Sequence, residues 1–155
     1  MFGFTVNTDI LIIASGKSDK GDRAPALRGS CVALLNWMVE TAGAKLVLDT
    51  EKLIQQEYSD KLGDDEFGNR FITTMITSDK IEQVQRIDGK RWKVIQSKVK
   101  LHKKDQTIAR ASMASQHKLL VAEESHFAAA ASLLWKHARI EVLAARGAVA
   151  RTKAS

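Results

Sequence analysis

Four short β-branched or aliphatic runs constrain this chain more than any other feature, because helical segments separate them. The runs are "GFTV" (3–6), "KLVLD" (45–49), "KLLVAE" (118–123) and "RIEVL" (139–143). "CVALLNWMVETAG" precedes the second and ends at Gly43, a residue suited to stopping a helix. "DQTIARASMASQH" precedes the third and "SHFAAAASLLWKHA" the fourth. Strands alternating with helices pair through crossovers, which gives a mainly parallel sheet covered on both faces. The expected fold is therefore α/β, a three-layer sandwich around a short, mainly parallel central sheet. Residues 51–62 and about 64–86 read as two further helices with no strand between them.

A chain of 155 residues can bury one sizeable core, and a single domain over 1–146 is expected, followed by a basic, frayed tail at 147–155. One cysteine, Cys31, excludes an internal disulfide framework and fits a reducing cytoplasm. No apolar run reaches the roughly 18 residues a membrane span needs, and the N-terminus lacks the pattern of a secretory leader. A cytoplasmic protein without a membrane partner is expected. The net charge of +6 and a pI near 9.6 favour a polyanionic partner, nucleic acid or an acidic protein. "GKRWKVIQSKVKLHKK" (89–104) is the most basic stretch, and "GKSDKGDR" (16–23) reads as a polar loop.

"IASGKS" invites a phosphate-loop reading and fails it. Such a loop needs a glycine five residues before Gly16, and Leu11 stands there, followed by Ile12, Ile13 and Ala14. Function in open α/β sheets collects instead at the carboxyl ends of the strands. The first run ends in "VNTD", with Asn7 and Asp9, and the third in "VAEES", with Glu123 and Glu124. Glu57 sits between Ile54 and Leu53 on the apolar stripe Leu53, Ile54, Tyr58 and Leu62. Asp105 opens the helix that carries Ile108, Ala109 and Ser112. Each has a plain structural explanation. Asp105 can cap its helix, Glu57 can reach Lys61 one turn on, and Glu124 can sit at a helix start beside Ser125. Taken together, carboxylates that meet at one sheet edge repel unless a divalent cation sits among them, and Mg²⁺ or Mn²⁺ suits oxygen donors. His102, His117, His126 and His137 are scattered in the sequence and suggest no zinc site. Trp92, in "KRWKV", could stack on an unpaired base or simply pack, whereas Trp37 and Trp135 lie on apolar helical stretches and are expected in the core.

The order of these motifs resembles the PIN-domain family of metal-dependent ribonucleases, common as toxins of bacterial toxin–antitoxin pairs. "VNTDILI" (6–12) fills the place of the family's opening Asp-Thr-Asn motif, and "QQEYSDKL" supplies Glu57 and Tyr58. "DQTIARAS" supplies Asp105, and "LLVAEESHF" (119–127) resembles the fourth motif and supplies Glu124. The resemblance implies that "DILIIA" is helix rather than strand. It also implies Asn7, Asp9, Glu57, Asp105 and Glu124 as catalytic and metal-holding residues, an RNA substrate, a cognate antitoxin over the acidic groove and a homodimer. Lys103 and Lys104, then Arg110 and Lys17, are the candidates for gripping flanking phosphates. The chain departs from the family pattern at four places. Asn7 stands where the first acidic ligand belongs, Asp9 where an amide is usual, Ala122 where a hydroxyl residue is common, and Glu124 where Asp is more frequent, with Glu123 a competing candidate. Three readings of Asn7 stay open: a deliberately disabled nuclease, a ligand role passed to Asp9, or a PIN-like scaffold that binds RNA or protein without cutting it. A PIN-like nuclease acting on DNA is a further alternative.

Overall fold

The computed structural model describes residues 2–17 and 24–153. The chain runs β1 (Phe2–Val6), α1 (Thr8–Ala14), α2 (Ala24–Glu40), β2 (Ala44–Asp49), α3 (Leu53–Lys61), α4 (Phe67–Thr77) and β3 (Ile81–Val84). It continues α5 (Gly89–Val99), α6 (Lys103–Ala114), β4 (Leu119–Val121), α7 (Ser125–Ala138), β5 (Glu141–Leu143) and α8 (Ala145–Lys153). Among the described residues the five strands are all parallel, in the order β3-β2-β1-β4-β5. Phe4 on β1 is in register with Leu46 on one side and Leu119 on the other. Helices complete a three-layer α/β sandwich. α2 packs on β2 and against α1, α4 and α8, while α6 lies across β1, β2 and β4, and α5 packs on α7.

Burial explains the strand composition. β1 is flanked by strands on both sides and its residues 3–6 are all buried, as are Asn7 and Thr8 after it, so the first charge comes only at the half-buried Asp9. Phe2 and Phe4 meet the ring of Trp37 on α2 edge-on, with centroids 6.0 and 6.2 Å apart. The segment "DILIIA" is helical, as the family resemblance implies against its β propensity. Its Ile10, Leu11 and Ile13 face the core from α1. Most of the loop expected at 16–23 lies outside the described residues.

Several expectations are corrected. The span 64–86 is a helix and then a strand, β3. The break falls at Asp79, whose φ is +55°, and Ile81 and Val84 lie off the helical stripe of Phe71, Ile72 and Met75. Lys80 secures the junction: its ammonium donates to the carbonyls of Met38, Val39 and Thr41 at the end of α2, and burial lowers its pKa. Residues 145–153 are the helix α8, not a frayed tail, with Ala145, Ala148 and Thr152 buried and the helix packed on α2. Of the two alternatives for Trp92, packing is the one observed: it is buried, 5% exposed, and donates its indole N–H to Gln106, so it cannot stack on a base. Trp135, expected in the core, is instead 52% exposed beneath the guanidinium of Arg139. Leu53, expected on the buried stripe of α3, is likewise exposed.

α1 is held in place by a close crossing with α4. Gly68 donates its N–H to Ser15 Oγ at 2.9 Å, and Ser15 Oγ in turn donates to the Leu11 carbonyl at 2.7 Å. A Cβ on Gly68 would stand 2.9 Å from the Leu11 carbonyl oxygen and 3.0 Å from Leu11 Cβ, and backbone cannot yield cheaply there. Gly68→Ala is expected to lower stability by about 1–3 kcal/mol, read as a reduced urea midpoint with unchanged slope. An unchanged midpoint would mean that α1 and α4 can separate without cost.

Candidate metal centre

The strand order changes direction between β1 and β4, and the carboxyl ends of these two strands open into a crevice. Asn7 and Asp9 come after β1, and Glu124 comes after β4 at the start of α7. α3 brings Glu57 and α6 brings Asp105 to the same place. All five of these residues line one cleft of about 290 Å³, together with Thr8, Ile12, Lys61 and Lys104.

A chain of hydrogen bonds closes the seam behind the cleft. The Asn7 N–H donates to the Val121 carbonyl at 2.9 Å, joining β1 to β4. Asn7 Nδ2 donates to Asp9 Oδ1 at 2.7 Å, and the Glu123 N–H donates to Asp9 Oδ2 at 2.8 Å. Glu123 Oε1 accepts the Ala145 N–H at 2.9 Å and so serves the start of α8. Both Asp9 oxygens therefore have protein partners, and Glu123 looks away to α8. Of the acidic pair after β4, Glu124 is the one in the cleft.

α3 is positioned from β2. Lys52 turns into the left-handed region, and the buried Asp49 carboxylate accepts from the Leu53 N–H at 3.1 Å and the Ile54 N–H at 2.9 Å. Tyr58, fully buried, donates its hydroxyl to the Val6 carbonyl at the end of β1. Burial, then the carboxylates of Glu57, Asp49 and Asp9, raise its pKa and keep it neutral. With α3 so fixed, Glu57 accepts from Thr8 Oγ1 at 2.8 Å through Oε2 rather than turning to Lys61.

Asp105 is the least compensated group. It is the third residue of α6, 3% exposed; His102 holds the cap position, so the capping role is not observed. Its Oδ2 is closed off from solvent and has no hydrogen bond. Burial and then the charge of Glu124 push its pKa up to about 6, against the pull of Lys104, His126 and His102. Glu124 fares better. Burial raises it, but Lys104 Nζ at 3.2 Å and His126 Nδ1 at 3.0 Å outweigh that and leave its pKa lowered.

The sequence reading missed His126, His102, Thr8 and Lys61. Two of the four histidines that looked scattered, His102 and His126, meet beside Asp105 and Glu124. The rings of His102 and His126 stack with centroids 4.1 Å apart, and donor atoms of Asp105, Glu124 and His126 lie within 4.8 Å of one another. The signal was local: His126 stands two residues after Glu124 and His102 three before Asp105. Of the expected phosphate-gripping cations, only Lys104 lines the cleft. Lys17 pairs with Glu66, Arg110 donates to the Ile87 carbonyl beside α5, and Lys103 is exposed outside the cleft lining.

Comparison of the chain with family models, with curated proteins and with solved structures gives no match. Among the described residues, no helix is long and apolar enough to cross a membrane.

A folded-state pKa near 6 for Asp105, above its ordinary 3.8, means that folding takes up a proton between these values. Stability of the metal-free protein therefore falls as pH rises through this window, and the full cost is present above pH 6. Asp105→Asn removes the cost. Its stability relative to the unaltered chain should rise by about 2–3 kcal/mol between roughly pH 3.5 and 7.5, measured by urea unfolding at both ends. A difference that does not change with pH would contradict this.

Proposed function

We propose that the chain is a metal-dependent endoribonuclease of PIN type. The observation that carries this reading is the convergence of Glu57, Asp105 and Glu124, from three separate elements, with Asn7 on one cleft at the strand-order switch. The donor set fits a hard divalent ion: three carboxylates and one amide oxygen, with Asp105 Oδ2 buried and lacking a hydrogen bond. Asn7, Glu57, Asp105 and Glu124 would hold Mg²⁺ or Mn²⁺. Such an ion, when bound, polarises a phosphate and lowers the pKa of a water. The chain's own residues supply the remainder. Lys61 and Lys104 offer cationic ends to phosphate oxygens. Glu57, steadied at Oε2 by Thr8, keeps Oε1 to take a proton from the attacking water. A silencing partner protein would cover this cleft, with a guanidinium suited to the carboxylates.

The pairing of Asn7 with Asp9 supports an exchange of amide and acid between the two positions. With aspartate at both, two carboxylates would face each other across the 2.7 Å that the amide now bridges. A second reading, a PIN-like scaffold that binds without cutting, draws on the same residues. Asn7 brings no charge, and Asp9 has both oxygens engaged.

The test incubates single-stranded RNA and Mn²⁺ with the unaltered chain, Glu57→Gln, and the double exchange Asn7→Asp with Asp9→Asn. Cleavage by the unaltered chain is expected, with a loss of at least about 100-fold in Glu57→Gln. Cleavage only by the double exchange would assign a disabled nuclease. Salt-sensitive RNA binding with no cleavage by any form would favour the scaffold, and equal cutting of single-stranded DNA would broaden the substrate class.

A further inference from the structure

His126 adds a donor that the carboxylate set alone does not have. It occupies the second position of α7, two residues after Glu124, and its ring lies against that of His102 with an interplanar angle of 13°. The stack fixes the direction in which Nδ1 points. That atom stands 3.0 Å from Glu124 Oε1 and 3.7 Å from Asp105 Oδ2. His126 Nδ1 and Asp105 Oδ2 are both closed off from solvent, and neither has a hydrogen bond of good geometry, although the His126 side chain is 42% exposed elsewhere. An ordinary imidazole–carboxylate pair would align its N–H with the oxygen. Here one donor atom each from His126, Asp105 and Glu124 lies within 4.8 Å of the others instead. Neighbouring donors around one small divalent ion, each about 2.1 Å from it, stand about 3 Å apart, which is the spacing of His126 and Glu124.

Building on the nuclease reading, we propose that the cation site includes His126 Nδ1 beside Asp105 and Glu124, and therefore takes a first-row transition ion in preference to Mg²⁺. Mg²⁺ demands oxygen donors and retains its waters, whereas imidazole nitrogen favours the ions of the transition series. His102 is a positioning residue: it orients the imidazole by stacking.

Mn²⁺ alone is the probe, read by continuous-wave and pulsed electron paramagnetic resonance on the full chain. Bound Mn²⁺ should show ¹⁴N coupling from a directly ligated imidazole, and Mg²⁺ should displace it only at an excess well above tenfold. His126→Gln, with its fold checked by circular dichroism, should lose the nitrogen coupling and weaken Mn²⁺ by at least about tenfold, the scale produced by losing even an outer partner of a ligand. It should also narrow the preference over Mg²⁺. The nitrogen signal of the unaltered chain decides the matter even if the variant fails to fold. Bound Mn²⁺ without ¹⁴N coupling, or displaced by equimolar Mg²⁺, would overturn the histidine ligand and leave an all-oxygen nuclease site standing. No bound Mn²⁺ at all would overturn both.

Discussion

Asp9 closes the seam on which the rest of the cleft is built. β1 and β4 run side by side, but the sheet reverses its order between them, so their ends must diverge and leave backbone groups to be satisfied. Asp9 accepts the amide of Asn7 on one oxygen and the backbone of Glu123 on the other. Glu123 in turn receives the start of α8. This line of bonds sets where α1 and α7 begin, and hence where Thr8 and Glu124 stand. α3 is placed independently, by Asp49 below and by Tyr58 reaching to Val6. The site is thus supported by carboxylates that look like candidates for chemistry and act as joints.

The electrostatics of the cleft are uneven. Glu124 has the ammonium of Lys104 and the ring of His126 beside it, and its charged form is favoured. Asp105 faces Glu124 from a drier position, so its charged form is disfavoured. A divalent ion would reverse that balance, because it offers Asp105 the partner that neither Lys104 nor His126 supplies at hydrogen-bonding distance. The chain is otherwise basic, at +6. On the proposed reading this contrast has a use: a positive surface gathers a polyanion, and a concave acidic spot concentrates the cation that acts on it.

Much of this was legible in the sequence. The parallel α/β plan came from aliphatic runs spaced by helices, and Asp9 and Glu124 stand just beyond the ends of two of those runs. The parts that stayed hidden did so for physical reasons. β3 is only four residues long and Val84 is its one buried residue, so its sequence carries little of a strand's pattern. α8 buries alanines and a threonine, side chains too small to draw attention in a basic stretch. Trp135 left its expected place in the core, and Trp92 took the packing alternative, because burial is decided by tertiary packing: α5 turns its one tryptophan inward within a charged sequence, and α7 turns its tryptophan out of an apolar one. His126 and His102 could be joined only once α6 and α7 were side by side, since 24 positions separate them in the chain.

The most direct measurement is anomalous diffraction from a crystal of this protein soaked in Mn²⁺. A single strong peak within bonding distance of Asp105 and Glu124, on the side of the cleft that Glu57 and Asn7 line, is the predicted result. A clean map in the cleft, with Asp105 Oδ2 still without a hydrogen bond, would contradict the view that these side chains were brought together to hold a cation.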